Sequence, residues 1–555
     1  MRSKGRPRPS PWNPLECYLT LHRFRPTPKT LSVPCHPNNL VVGSGPAGVS
    51  AAMALIAQGA RVTLVDVGQD LEPDRRSWVE SLSRRPHTDW APGEVARLKE
   101  PFRKDSSGIL SKLLFGSDYP YRNATELNQI GLPDGSLKAS VAQGGLSTVW
   151  GASVLPYNDR DLERWPISAS DLRPHYEAVL QWMPLMAAPD DLESLYPIDT
   201  KSPKPVRLSR PAAQLLRGMD SRRSELRKSG FTFGHSRVAL RSDACTECGA
   251  CLHGCPYRLI YNAADALPEL RRSPNFEYLP GIVIERLEES GTGVKATGRE
   301  IHSKKPWSLQ TDRVFLGAGV LPTARITLES AGVFNEPVRL LDSQYTVMPM
   351  VSVQTHPGIE GDPLHTLCQL YLEIDDPAIS RHNIHAQLYT YNSMFLDEFR
   401  TKALGLLPKI PGAHRHLLTR LMVGFGYLHS DDSGCLQMVL KSGGRLEVDI
   451  VKNPRTAAIQ SKVAWKLLRN ARHLGFAPLL PLIQKTAPGR GFHNGGSFPM
   501  GPKSDGIQSD TLGRPFGWRR IHIVDSSVFP TIPAATITFT AMANAHRIAS
   551  LAAQL

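Results

Sequence analysis

The stretch from Leu40 to Asp66 constrains the chain most. Leu40-Val41-Val42 reads as a short buried strand that runs into Gly43-Ser44-Gly45-Pro46-Ala47-Gly48. An Ala-rich helical stretch follows from Val49 to Gln58, Gly59 ends it, and Arg61-Val62-Thr63-Leu64-Val65-Asp66 reads as a second strand. Strand, glycine turn, helix and strand in this order predict a βαβ dinucleotide-binding unit. Gly43 permits the tight turn, Gly45 lets the backbone approach a pyrophosphate, and Gly48 allows close helix–strand packing. The helix N-terminus faces the phosphates. Asp66, 23 residues beyond Gly43, stands where an acid can bond a ribose hydroxyl.

The rest of the chain is long enough to enlarge such a unit into an elaborated enzyme. It has 555 residues, 41% of them hydrophobic and 21% charged, so a large core can form and overall disorder is excluded. No apolar run is long enough to predict a membrane-spanning helix. The net charge of +14 is unevenly placed. Residues 1–39 hold seven Lys or Arg against the single acid Glu16, in a Pro-rich context without an apolar signal segment. Residues 1–38 are expected to be a disordered extension rather than a nucleic-acid-binding arm, and a cytoplasmic location is expected. Further along, residues 211–228 predict a surface helix, and Phe276 to Leu287 and Arg313 to Leu316 predict strands. From about 336 to 490 apolar and polar residues alternate, as in Thr346–Val353, Cys368–Ile374 and Asn383–Tyr391, which predicts an antiparallel sheet in a second domain.

Three further blocks carry a resemblance. They are QGGLSTVWGASVLPYNDRDLERWPISASDLRPHY (143–176), VFLGAGVLPTARITLES (314–330), and a C-terminal pair, FHNGGSFPMG and DTLGRPFGWRRIHIVDSSVFPTIPAATITFTAMANAHRI. With the glycine turn they resemble the glucose–methanol–choline (GMC) family of FAD oxidoreductases over most of residues 39–555. The resemblance implies one FAD and an α/β fold. A Rossmann-like FAD-binding domain of the glutathione-reductase type would pair with an α+β substrate domain containing an antiparallel sheet. It implies that Gly43, Ser44, Gly45, Pro46, Ala47 and Gly48 meet the pyrophosphate, and that Asp66 meets the adenosine ribose. Ile284 takes the adenine-contacting strand position. Gly144, Gly145, Ser147, Trp150 and Gly151 form the loop that passes the isoalloxazine. Gly319, Asp525, Ala535 and Thr536 complete the cofactor set. The family often has Glu where Asp66 stands and Gly-Gly where Gly151-Ala152 stands.

The same resemblance makes His493, in a His-x-x-Gly segment, the catalytic candidate. A histidine titrating near neutrality suits removal of a hydroxyl proton while the carbinol hydrogen leaves as hydride for flavin N5. The family's second His or Asn is missing: Ala534 falls at that position, with Thr536 and His546 as substitutes to weigh, His546 being expected to face away on the closing helix.

Eight cysteines occur, and four fall in Cys245-x-x-Cys248-x-x-Cys251-x-x-x-Cys255-Pro256. That is ferredoxin spacing for thiolate ligation of an iron–sulfur cluster. A zinc site and plain structural thiols are the alternatives. The segment also resembles one in membrane-associated GMC dehydrogenases for sugars, where a cluster relays electrons outward from FAD. His429, Asp431 and Asp432 are expected to be a solvated strand turn.

The expected organisation is an extension at 1–38, an FAD-binding domain at 39–335 with a cysteine insertion at 243–262, a substrate domain at 336–490, and a C-terminal FAD-binding and catalytic segment at 491–555. The expected activity is oxidation of an alcohol, sugar or related polyol, with a quinone or cytochrome as electron acceptor if the cluster exists. A flavin-bound lyase or isomerase of the same fold, or a non-catalytic flavin/iron–sulfur carrier, are the rival functions.

Overall fold

The computed structural model describes residues 38–100, 103–104, 110–133, 137–198, 203–241, 244–391 and 419–555. The basic extension up to Pro37, with Cys17 and Cys35, lies outside the described residues.

The βαβ unit forms as its sequence dictates. β1 (Asn38–Val42) runs parallel to β2 (Arg61–Asp66), and α1 (Pro46–Ala57) crosses between them. Pro46 opens α1 at a position where no intrahelical amide bond is lost. The helix is apolar almost all round, and it is buried on both sides because the C-terminal helix Thr538–Ala552 packs along it. The parallel sheet has five strands, in the order Ile521–Ile523, Arg313–Leu316, β1, β2, Phe276–Pro280. Its outermost partners come from positions more than 200 residues beyond β1. Phe276 to Leu287 is therefore not one strand. Gly281, at φ +85°, turns the chain after Pro280, and Ile282–Ser290 joins a separate three-stranded antiparallel sheet. The surface helix predicted over 211–228 is likewise two helices, Arg210–Asp220 and Arg223–Lys228.

The antiparallel sheet has seven strands, with a central run of Tyr345–Ser352, Leu421–Tyr427, Ile384–Tyr389, Leu370–Ile374 and Phe231–His235. The edge strand Phe231–His235 comes from the sequence ahead of the cysteine run. Strands Leu370–Ile374 and Ile384–Tyr389 are buried at every position, so both faces of the sheet are covered. A second mixed sheet pairs Pro337–Asp342 with Cys435–Leu440 on one side and Asn494–Gly495 on the other. That last pairing carries the C-terminal segment to the antiparallel side and sets His493 at its boundary.

Candidate active site

A cavity of about 430 Å³ extends from the glycine turn to the antiparallel sheet. At one end it is built of backbone. Gly43 sits at φ +97° with its Cα side against Gly317, where a Cβ would lie 2.5 Å from the carbonyl oxygen. A Cβ at Gly48 would lie 1.9 Å from the Gly43 oxygen, so this glycine lets α1 close on its own turn. Gly45 is different: it lines the cavity, and a Cβ there meets nothing within 4 Å. Its side is open for a ligand's backbone approach. Gly45 is also the N-cap of α1, and no side chain caps that helix. The N-termini of Val320–Ala331 and Thr538–Ala552 line the same cavity. Three helix N-termini thus direct amide dipoles at one space, a field that favours anions.

Two buried carboxylates flank it. Asp66 accepts the Ser44 hydroxyl, and Ser44 Oγ in turn accepts the Gly144 amide at 2.9 Å. Burial pushes the Asp66 carboxyl up to about 6 against the lowering effect of hydrogen bonds from Ser44 and from the Val67 and Gly68 backbone. Asp525 accepts the Gly319 amide at 3.0 Å, the Thr323 hydroxyl at 2.5 Å and the Ser527 amide at 3.0 Å. It therefore fastens the start of the 320–331 helix to the C-terminal segment. The Thr536 hydroxyl is buried on the cavity wall without a hydrogen-bond partner, a polar atom suited to a bound ligand.

At the other end side chains make the site. Tyr345, Gln387, Tyr389, Tyr427 and Arg490 surround His493. The imidazole stacks on Tyr427, with ring centroids 4.8 Å apart and planes at 24°. The His493 carbonyl accepts the Ser343 amide at 3.0 Å, and neighbouring Asn494 donates to Asp342 at 2.7 Å, which pins the segment. As a residue His493 keeps some exposure toward the cavity it lines, yet its Nδ1 is buried and unpartnered. Enclosure first, and His385 second, push its proton affinity down to about 3. The expectation of a histidine titrating near neutrality is thereby corrected: removal from water keeps this ring neutral.

Of the residues expected to bind cofactor, Gly43, Ser44, Gly45, Pro46, Ala47, Asp66, Gly145, Ser147, Trp150, Gly151, Gly319, Asp525 and Thr536 line this one cavity with His493. Gly48, Gly144, Ile284 and Ala535 do not. Gly48 and Gly144 shape the turn from behind, where Cβ atoms would strike Gly43 and Asn262. Ile284 is buried at a register shift of its strand. Ala534 and Ala535 border a separate small cavity of about 10 Å³, beside Asp161, Tyr196, His382 and His429. His546 faces away, its Nδ1 2.8 Å from that of His175. Sequence reasoning missed Lys112, Tyr427 and Gln387 on the cavity wall. Strand alternation over Asn383–Tyr391 gave Gln387 a face without saying what the face met.

The cysteine run forms a tight loop beside the cavity. Lys112 lines the cavity and donates to the Trp150 carbonyl at 2.9 Å; burial pushes its ammonium down to about 8, opposed by the charge of Cys251. Burial raises all four thiols, Cys255 to about 12, and each of them is also raised by the charge of at least one other. No three of the four sulfurs lie within 4.8 Å of one another, so the close tetrahedron of a zinc site is not formed among these described residues. His382, His429 and Asp431 do approach within that distance. Their carboxylate, however, is already bridged by Arg164 and Arg381, and the two rings lie face to face at 3.6 Å, so two guanidinium charges stand where a cation would go.

Fold and cavity together combine a parallel-sheet α/β unit of the dinucleotide-binding type with an antiparallel sheet that closes the far end of the cavity. Residues 446–545 match the family profile described as GMC oxidoreductase. His493 lies within the matched segment. Pyridoxine 4-oxidase from Mesorbium loti shares the fold, with 15% sequence identity, 93% of this chain and 99% of that chain covered, and a TM-score of 0.55. No curated protein matches the sequence significantly.

Proposed function

We propose that the protein binds FAD in this cavity and oxidises a CH–OH group, with His493 accepting the hydroxyl proton. The observation that carries this is a neutral, enclosed His493 in the same cavity as an uncapped glycine turn. Gly43, Ser44, Gly45, Pro46, Ala47 and the α1 amides would hold the pyrophosphate, and Asp66 a ribose hydroxyl. Gly145, Ser147, Trp150, Gly151, Thr536 and the last helix's N-terminus would border the flavin ring. FAD supplies the acceptor for a hydride, at flavin N5, when bound. The chain's own contribution is placement and proton handling. Tyr345, Tyr389 and Tyr427 wall off the substrate end, Gln387 offers it a polar amide, and His493, lacking a proton, takes the one the hydroxyl releases. With Ala534 at the usual second position, the described geometry supports a single-histidine site.

The finer proposal is a dehydrogenase. Cys251 acts on Lys112 of the cavity wall, and an iron–sulfur cluster held by the four thiols would carry electrons outward to a quinone or cytochrome. Oxygen is the competing acceptor, since the structural relative named above is an oxidase. No helix among the described residues is long and apolar enough to cross a membrane.

The test is anaerobic mixing of FAD-loaded protein with glucose, methanol, choline and pyridoxine, followed by flavin bleaching. The expected result is bleaching by at least one alcohol and loss of it in His493→Ala. Unchanged bleaching in that variant overturns the role of His493, and protein that takes up no flavin overturns the reading itself. Iron and acid-labile sulfide assays on anaerobically purified protein decide the relay: their absence makes Cys245–Cys255 a structural loop.

A further inference from the structure

One row of side chains crosses the antiparallel sheet behind His493. Residues directly opposite on neighbouring antiparallel strands share a face. Glu373 is opposite His385, and His385 is opposite Tyr427. His385, Gln387 and Tyr389 alternate along one strand, so His385 lies on the face that lines the cavity, one row behind Gln387. His385 is fully buried and Glu373 nearly so, with His385 Nδ1 2.5 Å from a carboxylate oxygen. The second Glu373 oxygen accepts the Tyr196 hydroxyl at 3.2 Å and the Asn383 amide. Tyr371 sets the other edge of the His385 ring at 4.7 Å. The pair is therefore held through Nδ1 and both Glu373 oxygens, while His385 Nε2 has no hydrogen-bond partner. Tyr427 lies within ring contact of both histidines, 6.2 Å from His385 and 4.8 Å from His493.

We propose that His385, clamped by Glu373, is a positioning residue for His493: it backs the Tyr427 ring on which His493 stacks and keeps His493 in its proton-accepting form. This rests on the role of His493 given above. The ring that Glu373 holds in place adds to the cost of a proton on His493, second to enclosure. His385 acts on His493 in that direction. From the other elements, Tyr371 and Tyr427 face His385, Tyr196 and Asp161 act on Glu373, Tyr345 and Arg490 line the cavity with His493, and Asp342 is bonded by Asn494 next to it. A residue without the ring at 385 would leave His493 subject to enclosure alone.

The test uses FAD-loaded protein labelled with ¹⁵N-histidine, with the His493 signal assigned by its loss in His493→Ala. His385→Gln removes the ring, and Glu373→Gln removes the carboxylate that holds it. In both, the imidazolium fraction of His493 at pH 5 is expected to rise about tenfold, one pH unit in midpoint. An unchanged or lower fraction in the folded, flavin-loaded variants overturns the proposal, since a merely structural pair would lower the thermal midpoint and leave the His493 signal in place. Failure of both variants to fold and bind flavin also overturns it, by making the pair a folding element. The proton-acceptor reading fails separately, if His493→Ala is reduced by alcohol at the wild-type rate.

Discussion

The two ends of the cavity are made of different materials. Around the glycine turn the ligand-facing surface is backbone: amides of α1, the bare Cα of Gly45, the start of the last helix. Around His493 it is side chain: three tyrosines, an amide and an imidazole projected from strands far apart in sequence. A backbone surface depends on what is absent, since a Cβ at Gly48 would strike the Gly43 oxygen at 1.9 Å. A side-chain surface depends on what is present and on the register that aims it. The first should fail by exclusion and the second by loss of a group.

The largest expected effect lies at the side-chain end. His493→Ala is expected to lower the rate of anaerobic flavin reduction by alcohol by about 10²–10⁴-fold, the usual contribution of a positioned base. Bound FAD should stay at the wild-type ratio, because the cofactor end owes its shape to other residues. If flavin is lost together with activity, the two ends are not separable.

The backbone end contains its own contrast. Gly48→Ala overpacks the turn and is expected to cost about 1–3 kcal/mol or more, seen as a lower urea midpoint and poor flavin retention. Gly45→Ala should leave the midpoint alone, since its φ of −65° and ψ of 175° suit any residue and nothing lies within 4 Å. Its cost should appear only in FAD affinity, roughly tenfold or about 1.4 kcal/mol, by titration of the apoprotein. Equal losses of stability in both variants would break the distinction.

The same difference governs what could be read beforehand. The turn, α1 and Asp66 are local in sequence, so spacing alone specified them. The antiparallel sheet was foreseen as a class, because alternation is also local. Which strands neighbour one another is not, and so the row Glu373, His385, Tyr427 could not be read. Phe276 to Leu287 shows the limit on a smaller scale: a glycine at φ +85° sends its halves to different sheets, although the apolar pattern runs through unbroken. His493 is singled out by resemblance, but the downward push on its proton affinity comes from enclosure, which no motif encodes. The cysteine spacing was legible as well, and how near the sulfurs come to one another was not.

The smallest effect distinguishes the ends by pH. Burial raises the Asp66 carboxyl to about 6 and the Asp342 carboxyl to about 7, both above the ordinary 3.8. The folded state therefore binds these protons more tightly than the unfolded chain does. Their contribution favours folding below about pH 4 and is lost as pH rises through 6 and 7. In Asp342→Asn that loss disappears, although one of the bonds from Gly489 and Asn494 is weakened at every pH. The urea midpoint of the apoprotein variant relative to wild type should therefore climb between pH 5 and pH 8. Asp66→Asn should show its climb earlier, mostly complete by pH 7, and added FAD should flatten it, because ribose hydroxyls would donate to the Asp66 carboxylate and favour its ionised form. Asp342, beside His493, has no such donor to gain, so its climb should survive FAD. A flattening of both would mean that cofactor binding reorganises the side-chain end as well.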